Sequence, residues 1–364
     1  MKGTFRRILG LGGAVVLICQ YALESVAADP GGWEPGSPVL SIYNWESYIV
    51  PSLLAKFEAA NKVRVDHRTF GSNDELTRSL VREPGRFDVI IPTNYHVAFL
   101  RSLGMLSELD KTNIPNLRNL DVQFMSPTHD PGGRHCVTYL WSKLVVGYDS
   151  RKVRKPIRSW ADIFDPRYRG RVALLADARE TLGIVLLLLG HSPNSTDVFE
   201  LGQARDFLIA HASQIHSFSP DGGDRLLEAG EVDIALEWDG DMAALQARRP
   251  EFRRVVPSQG SLIASDSMCI PRASRNKALA ERFINFILEP ENGALLASKL
   301  RYPTPNLAAQ ALLPEPIRAS LSMSDRLRRR MFPLEDIGTS AESHFAEAWA
   351  AVLAHRQAPG ALAQ

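Results

Sequence analysis

Cysteine is scarce in this sequence: the 364 residues include only Cys19, Cys136 and Cys269. So few cysteines exclude a disulfide-rich scaffold and any metal site made of cysteine ligands alone. Cys136 and Cys269 each lie beside a segment that we predict to be a strand, over 139–141 and 266–268. We therefore expect the two either to form one disulfide or to remain small buried side chains.

Excess charge of either sign is also missing, since 42 Lys and Arg residues are balanced by 41 Asp and Glu residues, for a formal net charge of +1. A nucleic-acid-binding protein usually carries a basic face, so this balance argues against a nucleic-acid partner. The arginine-rich run over 326–330 is short, and a solvated helix face explains it.

Long apolar runs are confined to the N-terminus. Residues 8–22 are mostly apolar, basic residues precede them, and small residues follow at 26–28. This order is typical of a secretory signal peptide, which we predict over residues 1–28. Ile18 is bulkier than the small residue that precedes a lipid-modified cysteine, which argues against lipid attachment at Cys19. No later stretch approaches the ~20 apolar residues of a membrane span, so we expect an exported, soluble protein.

Several catalytic and metal-binding motifs are absent. The sequence has no G-x-S-x-G turn of a serine hydrolase, no calcium-binding loop and no pair of histidines with zinc-like helical spacing. The one glycine-rich cluster, at 10–13, lies in the predicted signal peptide. We therefore predict no catalytic residue, no metal site and no cofactor.

Strand-like and helix-like segments alternate from residue 39 onward. The pattern predicts strands over 63–67, 87–91, 171–175 and 234–236, and helices over 51–57, 72–81 and 180–189. This alternation is typical of an α/β fold with largely parallel sheets. More than three hundred residues follow the signal, which exceeds a usual single core, so we expect two domains.

Aromatic and acidic side chains cluster where the predicted strands end. Because ligands of open α/β sheets bind at the carboxyl ends of strands, we expect these residues to meet in one cleft. They form five groups, each at or just beyond a strand end: Trp45, Glu46 and Tyr48; Thr93 and Tyr95; Asp177 and Glu180; Trp238 and Asp241; and Asp266.

This set of residues is rich in rings and carboxylates but contains no lysine or histidine. An ammonium group gains ~0.5–2 kcal/mol over an aromatic face and more from a carboxylate, so the set predicts an organic cation as ligand. Two alternatives remain open. The rings could pack in the core while Asp177 and Asp266 cap helices. Two of the carboxylates could instead serve a secreted hydrolase that cleaves glycans.

Several segments, taken in order, resemble the periplasmic spermidine/putrescine-binding proteins of bacterial polyamine ABC transporters. The matching segments are "YNWESYIVPSLLAKFE" (43–58), "FDVIIPTNYHV" (87–97), "SWADIFDPRYRGRVALLADARE" (159–180), "GEVDIALEW" (230–238), "SDSMCIP" (265–271) and "YPTPNLAA" (302–309). The resemblance covers nearly the whole mature chain, and its motifs are specific because they occur together.

The resemblance implies a two-lobed periplasmic binding protein fold of type II, an α/β fold in which crossover strands form a hinge. One lobe is expected to comprise residues 38–141 and 266–310, and the other residues 142–265 and 311–355. It also implies a periplasmic monomer without enzymatic activity, which binds a polyamine and delivers it to an inner-membrane ABC permease. Binding of another organic amine is the alternative.

The resemblance gives the predicted cleft residues distinct roles. The rings and hydroxyls expected to line the cleft are those of Trp45, Tyr48, Thr93 and Tyr95. The acids expected to take the ammonium groups are Asp177, Glu180 and Asp266, while Trp238 lies along the methylene chain. Asp241 is the acid that putrescine-binding members place three residues after the tryptophan, so putrescine is slightly favoured over spermidine.

Three positions depart from the family pattern. Ser47 stands where members carry an acid, with Glu46 one place early, and Ala264 replaces a typical aromatic residue two positions before Asp266. Leu334 occupies what resembles the position of a polar ligand contact in spermidine binders. Each change removes a contact with the ligand, so the sequence also allows a shorter or differently substituted amine.

Overall fold

The fold is described from a computed structural model, in which residues 37–220 and 222–357 are described. The predicted signal peptide over 1–28, with Cys19, lies outside these residues. Among the residues described, no helix is both long and apolar enough to cross a membrane.

One sheet contains all ten strands found in the described residues. The strands are β1 (Val39–Trp45), β2 (Arg64–Phe70), β3 (Val89–Ile90), β4 (Cys136–Asp149), β5 (Val172–Leu175), β6 (Ile215–Ser219), β7 (Ile234–Trp238), β8 (Phe252–Val255), β9 (Ser261–Cys269) and β10 (Met331–Pro333). The sheet runs in the order β2, β1, β3, β9, β4, β7, β5, β6, with β10 beside β9 and β8 beside β4.

The sheet is mixed: five of the strand pairings in the described residues are parallel and four are antiparallel, so the predicted parallel pairing holds for the two ends of the sheet and not for its centre. Strands β1, β2 and β3 form a parallel unit at one end, and β5, β6 and β7 form another at the opposite end. Between them lie β4 and β9, which pair antiparallel with each other and with their neighbours β7 and β3. Two long antiparallel strands therefore connect two parallel α/β units.

Helices flank the strands along the whole described chain. The α-helices are α1 (Pro51–Asn61), α2 (Asn73–Arg82), α3 (Asn94–Ser102), α4 (Ala178–Leu189), α5 (Val198–Ala210), α6 (Gly223–Ala229), α7 (Asp239–Arg248), α8 (Lys277–Ile287), α9 (Pro290–Leu300), α10 (Leu307–Leu312), α11 (Glu315–Leu321), α12 (Asp325–Arg328) and α13 (Gly338–Gln357). Short 3₁₀ helices cover Lys111–Asn113, Pro115–Asn119, Val122–Phe124, Trp160–Phe164 and Pro166–Tyr168.

Local sequence signals explain where several helices begin. Pro51 starts α1, where its missing N–H costs little because the first N–H groups of a helix have no internal partner. The Ser72 hydroxyl caps α2, which overlaps the helix predicted over 72–81, and accepts from the Glu75 N–H at 3.2 Å. The Glu75 carboxylate, however, accepts from the Gly71 N–H at 2.9 Å, so the capping box is only half formed.

Buried apolar side chains form two main clusters. One gathers residues of β5, α4, α5 and α13 around the fully buried Trp160. The other gathers residues of β1, α1 and α8, including Phe57 and Phe283. Trp238, at the end of β7, packs against both clusters. Its indole therefore lies where the two main clusters meet.

A disulfide ties the two central strands together. Cys136 and Cys269 are direct partners in the antiparallel pairing of β4 with β9, and their Cα atoms are 4.4 Å apart. Of the two outcomes left open by the sequence, the bridge is the one found. The bond joins positions 133 residues apart in the chain.

Candidate functional site

The first part of the site is the turn after β1, over residues 44–48. Asn44 closes this turn, because its side-chain oxygen accepts from the Trp45 N–H at 2.8 Å and its amide donates to the Tyr48 carbonyl at 3.2 Å. Ser47 adopts a left-handed conformation with a φ of 57°, which reverses the chain. The Tyr139 hydroxyl donates to the Tyr48 carbonyl at 2.8 Å and fixes the turn against β4.

Asp266 lies inside β9, so the predictions that it ends a strand or caps a helix are wrong. Its carboxylate accepts from the Tyr48 hydroxyl at 2.9 Å, and the Thr93 side chain also hydrogen-bonds to it. Burial nonetheless raises the pKa of Asp266 to about 6, because these donors replace water only in part. A cation beside this carboxylate would favour its ionised form.

A second group of polar residues surrounds the start of α4. Asp177 caps this helix, since one carboxylate oxygen accepts from the Glu180 N–H at 3.0 Å and the other from the Tyr95 hydroxyl at 3.1 Å. The Asn73 amide donates to the Tyr95 oxygen at 2.9 Å and holds the phenol in place. Burial raises the pKa of both Asp177 and Tyr95. The helix-cap interpretation is therefore correct for Asp177.

A buried guanidinium lies behind this acidic group. Arg179 forms an ion pair with Glu342 on α13, and it donates to the Asn194 side chain at 2.9 Å. Its guanidinium carbon lies 5.2 Å from the centre of the Tyr95 ring. Because Arg179 opposes the effect of burial on Asp177, it favours the ionised form of that carboxylate.

The third group follows β7. Trp238 ends this strand, and Asp241 lies three residues later in the first turn of α7. The Asp241 carboxylate accepts from the Tyr302 hydroxyl, and the Tyr302 ring packs edge-on against Tyr48 with centroids 4.9 Å apart. Gly240 leaves room for this ring, since a Cβ atom there would lie 2.0 Å from it.

Glu46 differs from the other acids because its side chain is 56% exposed. It forms an ion pair with Arg225 of α6, with nitrogen and oxygen atoms 3.2 Å apart. An exposed pair of this kind contributes little to stability. Glu46 therefore marks the solvent-facing edge of the site.

These groups surround one cavity, which together with the open solvent at its mouth holds about 610 Å³ of space free of atoms. Its lining residues are Trp45, Glu46, Tyr48, Gly71, Thr93, Ser142, Asp177, Glu180, Pro220, Trp238, Asp241, Ala264, Asp266 and Tyr302. Nine of the ten predicted site residues are among them; the exception is Tyr95, which instead supports Asp177. The predicted convergence on one cleft is therefore found, while the ligand contacts of these residues stay a prediction.

Sequence reasoning missed four lining residues: Gly71, Ser142, Pro220 and Tyr302. Tyr302 had a detectable signal, because it begins the "YPTPNLAA" segment as an aromatic residue followed by prolines. Ser142 had none, since it lies within a buried strand and not at its end. Leu334 is fully buried and does not line the cavity; its carbonyl accepts from the Asn94 amide. The expected loss of a ligand contact at Leu334 therefore stays a prediction.

The cavity lining is acidic and aromatic. Five carboxylates line it, and no Lys, Arg or His is among the described residues that do so. In the described part of the chain, no group of three or more metal-ligating side chains is placed to hold a metal ion. Rings and acids without a basic partner suit an organic cation, which the rings contact at its faces and the acids at its ammonium groups.

Comparison with known proteins places the chain in a family. A model described as bacterial extracellular solute-binding protein matches residues 87–326. The spermidine/putrescine-binding periplasmic protein of Salmonella typhimurium is 34% identical over 277 residues, which cover 75% of this chain and 79% of that protein. The putrescine/cadaverine-binding protein of Pseudomonas aeruginosa is 30% identical over 327 residues, covering 85% and 92%.

Solved structures give the same result. A protein structure from Listeria monocytogenes has a TM-score of 0.83 at 31% identity, covering 87% of this chain and 99% of that one. The spermidine/putrescine ABC transporter substrate-binding protein of Streptococcus pneumoniae has a TM-score of 0.73 at 28% identity, covering 88% and 100%. This chain belongs to the family of bacterial extracellular solute-binding proteins.

Membership of this family confirms the resemblance inferred from the sequence and the type II periplasmic binding protein fold. The chain is a solute-binding protein and not an enzyme, so the hydrolase alternative is wrong. The relatives named above bind polyamines according to their names, and the Salmonella relative is periplasmic.

Proposed function

We propose that this protein captures a polyamine in the periplasm and delivers it to an inner-membrane ABC permease. Putrescine is favoured slightly over spermidine, because Asp241 is positioned three residues after Trp238 as in putrescine-binding members. The protein acts as a monomer in this proposal and needs no cofactor.

One observation carries the proposal: five carboxylates and four aromatic rings line a single cavity without a basic residue among the described lining. Carboxylates gathered without a cation repel one another, so a bound cation would compensate for their proximity. Burial adds to this cost, because it raises the pKa of Asp266 to about 6 and so disfavours the ionised form until a cation is bound. A protonated diamine supplies two cations and an apolar chain that fits between the rings.

The arrangement of the acids supports a ligand with two charged ends. Asp241 and Asp266 are joined through Tyr302 and Tyr48, whose hydroxyls donate to them and whose rings touch. Asp177 and Glu180 form a separate pair at the start of α4. Trp238 packs against both core clusters and lines the same cavity. We infer that one ammonium group lies at each acid pair.

Ligand capture would involve movement of two lobes, over 38–141 with 266–310 and over 142–265 with 311–355. The two parallel units of the sheet, joined by β4 and β9, support this division. The central strands would then form the hinge, and closure around the ligand would change the surface presented to a permease.

A thermal-shift panel tests the proposed function. At a concentration of ~100 times Kd, a ligand stabilises the folded protein by ~2.7 kcal/mol, which raises the melting temperature measurably. Putrescine and spermidine should raise it, whereas neutral sugars and neutral amino acids should not. Absence of a shift with every diamine and polyamine, together with absence of heat on calorimetric titration, would show that the ligand is not a polyamine.

A further inference from the structure

Ser142 has a buried hydroxyl that no group in the described chain satisfies. The residue lies in β4 and is 3% exposed, and its Oγ atom has no hydrogen-bond partner within residues 37–220 and 222–357. It is also one of the residues that line the ligand cavity. A buried hydroxyl without a hydrogen-bond partner is destabilising. Because the Ser142 hydroxyl lies beside the cavity, we expect a ligand or a solvent molecule to supply that partner.

Ala264 lies directly across from Ser142 in the pairing of β4 with β9 and lines the same cavity. Neither side chain is larger than that of serine, so this pair leaves space on the cavity wall. Asp266 follows Ala264 by two residues on the same strand, and alternate residues of a strand point to the same face. Their Cα atoms are therefore separated by roughly 7 Å along the strand.

This spacing defines which part of a ligand would lie near Ser142. An ammonium group held by Asp266 would place the following carbon atoms of its chain toward the Ser142 and Ala264 pair. An unsubstituted methylene chain cannot hydrogen-bond to the serine hydroxyl and would leave it unsatisfied. A hydroxyl branch or a secondary ammonium in the chain would satisfy it, because the serine oxygen can accept from either group.

We propose that Ser142 and Ala264 form a subsite for a hydrogen-bonding group carried on the chain of the amine, between its two ammonium ends. This subsite rests on the proposed function, because it needs a diamine held by the acids. It makes Ser142 a specificity-determining residue and makes substituted diamines, such as a hydroxylated four-carbon diamine, ligands of this protein.

Calorimetric titration of matched ligands tests the subsite. The probes are putrescine, 1,4-diamino-2-butanol, which has the same length with one hydroxyl branch, and spermidine, which carries a secondary amine in its chain. The test variant is Ser142→Ala. The control is Thr138→Val. Thr138 also lies in β4, and its Oγ1 atom is buried without a hydrogen-bond partner in the described chain. Unlike Ser142, Thr138 does not line the cavity.

For Ser142→Ala, we expect the affinity for 1,4-diamino-2-butanol to fall about fivefold relative to putrescine, which is the loss of one neutral hydrogen bond. The affinity for spermidine should fall further if its secondary ammonium donates to the Ser142 hydroxyl. Thr138→Val should leave all three affinities unchanged, and melting of both apo variants checks that each is folded.

Three results separate the two proposals. The first result is that Ser142→Ala changes neither the ratio of 1,4-diamino-2-butanol affinity to putrescine affinity nor the ratio of spermidine affinity to putrescine affinity. This result overturns the subsite but leaves polyamine capture intact. A fall for spermidine alone assigns the subsite to a secondary amine and not to a hydroxyl branch. Failure of the wild type to bind any of the three amines overturns both proposals.

Discussion

Asp177 and Asp266 are partly buried acids of the same cavity, yet the backbone holds them in different ways. Asp177 starts a helix and accepts from a main-chain N–H as well as from Tyr95. Asp266 lies within an antiparallel strand, and its carboxylate accepts hydrogen bonds from the side chains of Tyr48 and Thr93. The helix acid therefore has a structural task that needs no ligand, whereas the strand acid is costly to ionise until a cation arrives.

The same contrast recurs within three residues of α7. Asp239 is buried and forms ion pairs with Lys143 and Arg254, and it does not line the cavity. Asp241 lines the cavity and accepts from the Tyr302 hydroxyl. Two acids in one helix turn can thus have different roles. Mutation of Asp239 should change stability, whereas mutation of Asp241 should change ligand affinity.

Neutralising these two acids should give the largest effects. Asp239→Asn leaves the buried Lys143 and the half-buried Arg254 without their charged partner, which should lower the free energy of unfolding by ~3–5 kcal/mol. Asp241→Asn removes a charge that we place beside an ammonium group, so putrescine affinity should fall by ~10–150-fold while stability changes little. Urea denaturation and calorimetric titration measure the two quantities.

Each of these variants is the control for the other. If Asp241→Asn lowers apo stability as much as Asp239→Asn and leaves putrescine affinity unchanged, Asp241 is a structural acid and the argument for putrescine loses its basis.

The disulfide between β4 and β9 should stabilise the part of the fold that carries Asp266. Cys136 and Cys269 join the strands that carry the Asp266 side of the cavity, across a separation of 133 residues. Replacing both by serine should lower the free energy of unfolding by ~2–5 kcal/mol, mainly because the unfolded chain gains freedom. Reductant should shift the urea midpoint of the wild type toward that of the double variant and leave the variant unchanged. An equal midpoint with and without reductant would contradict this expectation.

Protonation of Asp266 should appear in the stability of the unliganded protein. Its pKa is about 6 in the folded state against an ordinary value of 3.8, so the folded state binds the proton more tightly. Between these two pH values the unfolding free energy should fall as pH rises, by about 3 kcal/mol in total from this group. Asp266→Asn removes the proton-binding group and should flatten the slope. An identical pH dependence in the two proteins would show that Asp266 is not the titrating group.

The helix-cap role of Asp177 predicts the smallest effect. Asparagine caps a helix as well as aspartate does, whereas alanine does not. Asp177→Ala should therefore lower the free energy of unfolding by ~1 kcal/mol, and Asp177→Asn should leave it almost unchanged. Both variants lose the charge, so both should weaken putrescine binding. Equal stability losses in thermal melts would indicate that the main-chain hydrogen bond is not what Asp177 contributes.

Several features of the cavity and of α2 could be predicted from local sequence. The acids and rings after β1, β5 and β7 were predictable because a short apolar run followed by Trp or Asp marks a strand end, as at Trp45, Asp177 and Trp238. The helix α2 was predictable from the Ser72 and Glu75 spacing, since capping depends only on nearby residues.

Long-range pairing explains the errors. Whether β4 and β9 run parallel or antiparallel is decided by contacts between residues more than a hundred positions apart. The local periodicity of the sequence therefore does not predict the direction of this pairing. Asp266 was therefore placed at a strand end, although an antiparallel strand brings it to the cavity from its middle. Ser142 was missed for the same reason, because its cavity position depends on its partner Ala264.

Calorimetric titration of putrescine at pH about 6, in two buffers with different ionisation enthalpies, tests the central claim most directly. Near its pKa of about 6, Asp266 is half protonated in the free protein, and a bound ammonium group should displace that proton. We predict release of roughly half a proton per ligand at this pH, falling toward zero as pH rises, and no such release from Asp266→Asn. Binding heats that are independent of the buffer, or equal proton release from both proteins, would contradict the claim that the cavity acids bind the cation.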